Sequence, residues 1–169
     1  AGKDTATLDR AAARLGIPVF AAGPVQGPGA SVAPSHLRLL GDLRQAALRG
    51  WLARGPVFVS TARYEPFGLA VLEAAQAGCA LVLSDIPTFR ELWDGAARFV
   101  APGDDAGFAA AIAELSRNRE QRSRLRVAAR ERARAMTALA MAQGTLAIQA
   151  RLADSAARRE GARAGSVAA

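Results

Sequence analysis

The sequence predicts an α/β fold: a doubly wound, Rossmann-like parallel sheet covered by helices on both faces. Three observations carry that expectation. Short apolar runs alternate with helical stretches along most of the 169 residues. The helical stretches are long enough to serve as crossovers between parallel strands. The apolar runs are continuous rather than alternating, as strands buried on both faces require.

Each element has its own signal. Residues 5–15 set Leu8, Ala11, Ala12 and Leu15 at helical spacing, with Asp4 placed to cap the helix. Residues 17–22 are a short apolar run ending at Gly23-Pro24, hence a strand, and residues 25–35 are a Gly/Pro/Ser loop. Residues 37–40 form the next strand, stopped by Gly41, and Asp42 is expected to cap a helix reaching Arg54. Residues 56–60 (PVFVS) read as a strand, followed by a loop to Phe67 and a helix over about 68–77. Beyond them come a strand at 80–84, a short helix after Pro87 and a strand at 98–100. Two helices fit within 104–135, and a last one starts after Thr137, running to about 157 before a Gly/Ala/Arg tail. In such sheets ligands bind outside the carboxyl ends of the strands, which directs attention to the loops after Gly41, Ser60 and Ser84.

Composition sets limits on this reading. With 51% apolar and 22% charged residues the chain reads as globular. No apolar run approaches the roughly 20 residues of a membrane span, and no basic-then-apolar leader opens the sequence. The single Cys79 excludes an internal disulfide framework and favours a reducing, cytoplasmic address. Ala1 is not a start methionine, and the chain is expected to begin partway through a larger protein. Net charge is +7, concentrated between Arg117 and Arg134, where eight Arg face Glu120 and Glu131. A nucleic-acid or anionic-membrane patch is one reading of that run. A solvated helix face in an Arg-biased protein is the preferred one.

The segment 64–75, YEPFGLAVLEAA, is the most informative. Gly68 lets backbone approach a ligand without a Cβ in the way. The amides and positive dipole end of the helix that follows make an anion site needing no metal. Glu73 stands five residues further on, roughly 7 Å along the axis at about 1.5 Å per residue, within reach of a ribose attached to a phosphate at the helix tip. Its two oxygens suit a vicinal diol. Glu65, on the other side of the turn, is placed to accept from hydroxyls of a sugar on the distal phosphate. One ligand with diol, diphosphate and sugar satisfies all three features.

This segment resembles the group 1 glycosyltransferases, retaining enzymes of the GT-B fold with two facing Rossmann-like domains. The likeness rests on a Glu, seven residues and a second Glu, here Glu65 and Glu73 within EPFGLAVLEAAQAG. It continues through ALVLSDIPTFREL (80–92) and GAARFVAPGDDAGFAAAIAEL (95–115), and spans Lys3 to about residue 135.

The resemblance implies that this chain is the C-terminal, donor-binding half, with a nucleotide-sugar-binding domain at 1–135 and a helix and disordered tail at 136–169. It implies that Glu65, as the catalytic-face carboxylate, contacts the donor sugar and Glu73 the ribose. The amides of Phe67, Gly68 and Leu69 would hold the distal phosphate. Lys3, the only Lys of the chain, stands at the family's diphosphate-binding Lys. Gly41, Asp42 and Leu43 match the loop lining the nucleobase pocket. The family's first strand and its diphosphate-binding Arg fall outside the sequence, as does the N-terminal, acceptor-binding domain.

Transfer of a sugar from a nucleoside-diphosphate sugar, with retention, is therefore the expected function. No cofactor or metal is expected, and no nucleic-acid partner. Peripheral membrane association is left open by the basic run. A sugar-nucleotide epimerase and a non-catalytic nucleotide-binding module are the alternatives. Elsewhere the plain readings prevail. Cys79 is a core thiol, His36 a surface or strand-edge histidine with nothing to pair it, and Trp51, Trp93 and the Phe residues core. Asp85 ends a strand at the ligand edge without a firm role.

Overall fold

The computed structural model describes residues 2–23 and 34–167, with side chains as far as Ser155. Most of the loop expected at 25–35 therefore lies outside the described residues. Two compact units emerge, Ala1–Ala133 and Arg134–Ala169.

The first unit opens with α1 (Thr5–Ala13), capped by Asp4, whose carboxylate accepts from the Thr7 amide. Strand β1 (Val19–Ala22) follows, then β2 (Leu37–Gly41), α2 (Gln45–Ala53) and β3 (Val57–Ser60). Next come α3 (Leu69–Gln76), β4 (Ala80–Ser84), α4 (Pro87–Trp93) and β5 (Ala97–Val100). Two helices complete the order, α5 (Asp105–Arg117) and α6 (Arg119–Arg134). Pro87 occupies the first turn of α4, where its missing N–H costs nothing. Asp104 caps α5 through the Gly107 amide at 2.8 Å.

All strand pairs are parallel, as an α/β alternation demands, but they form two ladders where one sheet was expected. β1 pairs β2 from Val19↔Leu37 to Ala22↔Gly41, and β3, β4 and β5 pair in that order. A doubly wound sheet of order 3-2-1-4-5-6 breaks into these same two ladders when its first strand is left out. The core lies under the three-stranded ladder. Every residue of β4 is buried, and Phe108 and Leu115 of α5, Ala11 of α1 and Leu125 of α6 pack with it. Burying each large apolar side chain here stabilises by about 1.5–3 kcal/mol. The continuous run ALVLS was legible as a strand for that reason: both faces are dry.

Four expectations need correction. Helix α2 starts at Gln45 with Arg44 at its N-cap, and Asp42 makes no capping bond. Gly41, at φ 65, turns the chain at the end of β2 and spends Asp42 and Leu43 on the connection. Trp51 is only half-buried, tilted at 47° against the 40% exposed Phe20 at 4.8 Å and beneath Arg54 at 4.6 Å, because both rings sit at the edge of the β1–β2 ladder rather than in the core. His36 has a partner: Asp9 lies 3.5 Å from its Nδ1 and accepts the amides of Ser35, His36 and Leu37. The last helix, α7 (Ala138–Val167), runs past residue 157. Alanine and arginine, both strong helix formers, dominate α7 and outweigh its three glycines.

In α6, three arginines close the carbonyl ends of other helices. Arg122 Nη1 donates to Leu115 and Ser116 at the end of α5, Arg126 Nε to Gly78 after α3, and Arg132 Nη1 to Leu92 in α4. Cations at helix C-termini are favourable, so much of the basic run is spent on packing. Among the described residues no helix is long and apolar enough to cross a membrane.

Candidate functional site

The turn between β3 and α3 has the geometry of an anion site. Gly68 is the N-cap of α3 at φ 88, a left-handed conformation that favours glycine. A Cβ there would meet Phe89 Cε1 at 3.0 Å, so the ring of the fully buried Phe89 also demands glycine. The amides of Leu69 and Ala70 have no acceptor among the described residues, and Leu69 is 65% exposed. These donors point to where the helix dipole is most positive.

Glu65 is half-buried on the loop before the turn, and its Oε1 accepts the Gly68 amide at 3.2 Å. It therefore braces the turn as well as flanking it, leaving its second oxygen for other donors. Glu73 is exposed on α3 while its neighbours Val71, Leu72, Ala74 and Ala75 are buried. It lines a cleft of about 340 Å³ between α2 and α3, with Gln45, Leu48, Arg49 and Leu52 on one wall and Gln76 and Ala77 on the other. Gly41, Asp42 and Leu43 end β2 and lead into that same α2.

Lys3 is exposed and lies far from the turn in sequence, yet the fold brings its backbone to the loop after β3. Thr61 Oγ1 donates to the carbonyls of Lys3 and Asp4, and the Arg63 amide donates to Gly2 at 2.8 Å. So the backbone of Lys3 lies beside the start of the loop that runs from the carboxyl end of β3 through Glu65 and Phe67 to Gly68 and Leu69. Glu73 follows on α3, and Gly41–Leu43 stand at the carboxyl end of β2. Thr61, Arg63 and the α2 residues Gln45 and Arg49 were not foreseen. A hydroxyl directly after a parallel strand was the only sequence signal for Thr61.

Two other features are accounted for without a ligand. Arg90 holds Asp85 with two bonds of 2.7 Å and Asp94 with one of 3.0 Å, and its guanidinium lies 4.0 Å over Phe99. Burial pushes the Cys79 thiol up to about 11, over the opposing pull of Arg126, so it stays protonated and inert. No group of three or more His, Cys, Asp or Glu among the described residues is arranged to hold a metal ion.

Parallel strands joined by helices, with a glycine-tipped helix following β3 between Glu65 and Glu73, define a Rossmann-like α/β domain. The family is then shown directly: residues 32–132, more than half the chain, match the model of the glycosyl transferases group 1, and this chain belongs to that family. It is 40% identical over 98 residues to a glycogen synthase of Mycobacterium tuberculosis, covering 52% of this chain and 24% of that one. It is 36% identical over 91 residues to a phosphatidyl-myo-inositol mannosyltransferase of Mycolicibacterium smegmatis, again 52% and 24%. The fold is shared with HepE of Anabaena, solved in complex with UDP and glucose, at a TM-score of 0.74 and 17% identity, covering 88% of this chain and 45% of that one. The chain thus spans about a quarter of the length of the curated relatives it matches.

Proposed function

We propose that this chain is the donor-binding half of a cytoplasmic, retaining glycosyltransferase that uses a nucleoside-diphosphate sugar. The observation that carries the reading is the tip of α3, where unpartnered amides stand between a half-buried Glu65 and an exposed Glu73. The diphosphate sits on the free amides of Leu69 and Ala70, with the ammonium of Lys3 beside it; the Gly68 amide, expected to join them, is instead held by Glu65 Oε1. Glu73 takes the ribose diol, and the free oxygen of Glu65 takes hydroxyls of the transferred sugar. The base extends toward Gly41, Asp42 and Leu43. HepE, with the same fold, was solved with UDP and glucose, which supports a nucleotide and a sugar as neighbouring ligands.

In the transfer, the bond between the anomeric carbon and the diphosphate oxygen breaks and a bond to the acceptor oxygen forms on the same face. The acceptor proton passes to the departing diphosphate. Negative charge grows on that diphosphate, and donors already aimed at it stabilise the transition state more than the ground state. Helix amides and Lys3 take the place a divalent cation would fill, and no nucleic acid takes part. A facing domain, outside these residues, supplies the acceptor site.

The test is a titration of the chain with UDP, ADP and GDP, followed by amide chemical shifts. One of them saturates the chain, and Glu73→Ala weakens it about tenfold, the equivalent of 1.4 kcal/mol. Failure of all three to saturate, or indifference to Glu73→Ala, overturns the proposal.

A further inference from the structure

The binding elements proposed above come from distant parts of the chain, and the order between them is built by residues that touch no ligand. Thr61 is only 3% exposed, directly beyond β3, and its single hydroxyl is shared between the carbonyls of Lys3 (3.1 Å) and Asp4 (3.0 Å). The Arg63 amide bonds the Gly2 carbonyl at 2.8 Å, and Arg63 Nε bonds Asp4 Oδ2 at 2.7 Å. That carboxylate also receives the Thr7 hydroxyl at 2.9 Å. Asp4 is the one non-glycine residue with positive φ among the described residues, at 36°. Such a conformation persists only when its surroundings over-determine it, and here bonds to its carbonyl and its carboxylate do so. Gly2 completes the contact: a Cβ on it would stand 2.9 Å from the Tyr64 carbonyl oxygen, a backbone atom that cannot swing aside.

We infer that Gly2, Asp4, Thr61 and Arg63 form a clasp that fixes Lys3 against the 64–69 turn, so that its ammonium and the α3 amides meet a diphosphate as one preformed site. The inference rests on the proposed function and deepens it, since these four are positioning residues for Lys3. A lysine is a point charge on a flexible stem, and its contribution to anion affinity depends on how tightly its backbone is held. Residues 2–4 bond to 61–63 at both backbone and side-chain level, and residues 64–68 follow without a break. Ordering is therefore in place before ligand arrives.

A double-mutant cycle separates the clasp from the site. Whichever of UDP, ADP and GDP binds tightest is titrated against the native chain, Lys3→Ala, Thr61→Val, and the two together. The same set is repeated with Gly2→Ala in place of Thr61→Val. In the native background Lys3→Ala raises the dissociation constant about tenfold. In either clasp variant the same substitution changes it less than about twofold, and Thr61→Ser, which keeps the hydroxyl, restores the full effect. Glu73→Ala keeps its penalty in every background, which shows that the variants remain folded and bind the ribose end. If Lys3→Ala costs the same factor with and without Thr61 and Gly2, the clasp is overturned while the donor site stands. If Lys3→Ala has no effect in the native chain, the diphosphate reading itself falls. Loss of the Glu73→Ala penalty together with the Lys3→Ala penalty would mean general unfolding, and would also overturn the clasp.

Discussion

At the residue scale, Glu65 and Asp4 each hold two positions at once. Glu65 Oε1 braces the Gly68 amide, so a loss on mutation has a structural as well as a binding component. Glu65→Gln separates them, because a carboxamide oxygen still accepts that N–H. The melting temperature should move less than about 2 °C, below the shift expected for 1 kcal/mol. Affinity for a nucleotide sugar should fall about tenfold while affinity for the matching nucleoside diphosphate is kept; equal losses for both would sink the sugar-contact role. Asp4 is linked to acid stability. Burial raises its carboxyl pKa, and bonds from Arg63 and Thr7 outweigh that and hold it below the usual range. For Asp9 burial again works upward, and the amides of His36, Ser35 and Leu37 prevail. A carboxyl ionising at lower pH in the folded chain stabilises fully above its unfolded value of about 4, and that stability is lost as pH falls through the lower folded values. Melting curves from pH 6 to pH 2 should therefore descend steeply below pH 4, and less steeply in Asp4→Asn and Asp9→Asn. The exposed pairs of Asp85 with Arg90 and Asp105 with Arg14 add little, since solvent screens them.

At the element scale, α3 carries the proposed site and its tip carries the constraint. Eight residues are too few to hold a helix unaided. Burial of Val71, Leu72, Ala74 and Ala75 against the β3–β4 ladder supplies the stability, which frees Leu69, Ala70 and Glu73 to face outward. Gly68→Ala should cost about 1–2 kcal/mol from the left-handed conformation, with a further penalty from the Phe89 contact at 3.0 Å. Urea denaturation reads the loss directly; an unchanged midpoint would mean the turn relaxes freely. The α6 arginines belong to this scale too. Read in sequence they are a run of like charge, but Arg122, Arg126 and Arg132 each terminate a different helix.

At the scale of the whole molecule, the chain resembles only part of its relatives, 24% of the glycogen synthase and 45% of HepE. Under the proposed function, a donor-binding face by itself neither excludes water nor holds an acceptor. These 169 residues are expected to bind a nucleoside diphosphate weakly and to transfer no sugar. Radiolabelled donor incubated with the chain and a range of sugar and lipid acceptors checks this, and any labelled product would contradict it.

The sequence alone determined whatever depends on neighbours in the chain. Continuous apolar runs named the buried strands, because a strand dry on both faces admits no polar residue. The Glu65–Glu73 spacing named the helix tip, because helical rise converts residue count into distance. Tertiary structure decided what depends on residues distant along the chain. It split the strands into two ladders, since pairing is a matter of which edges meet. It gave His36 the partner Asp9 and moved Trp51 to the edge of a ladder. It also bound Lys3 to Thr61, 58 positions away, through a hydroxyl and two carbonyls whose meeting no local pattern records.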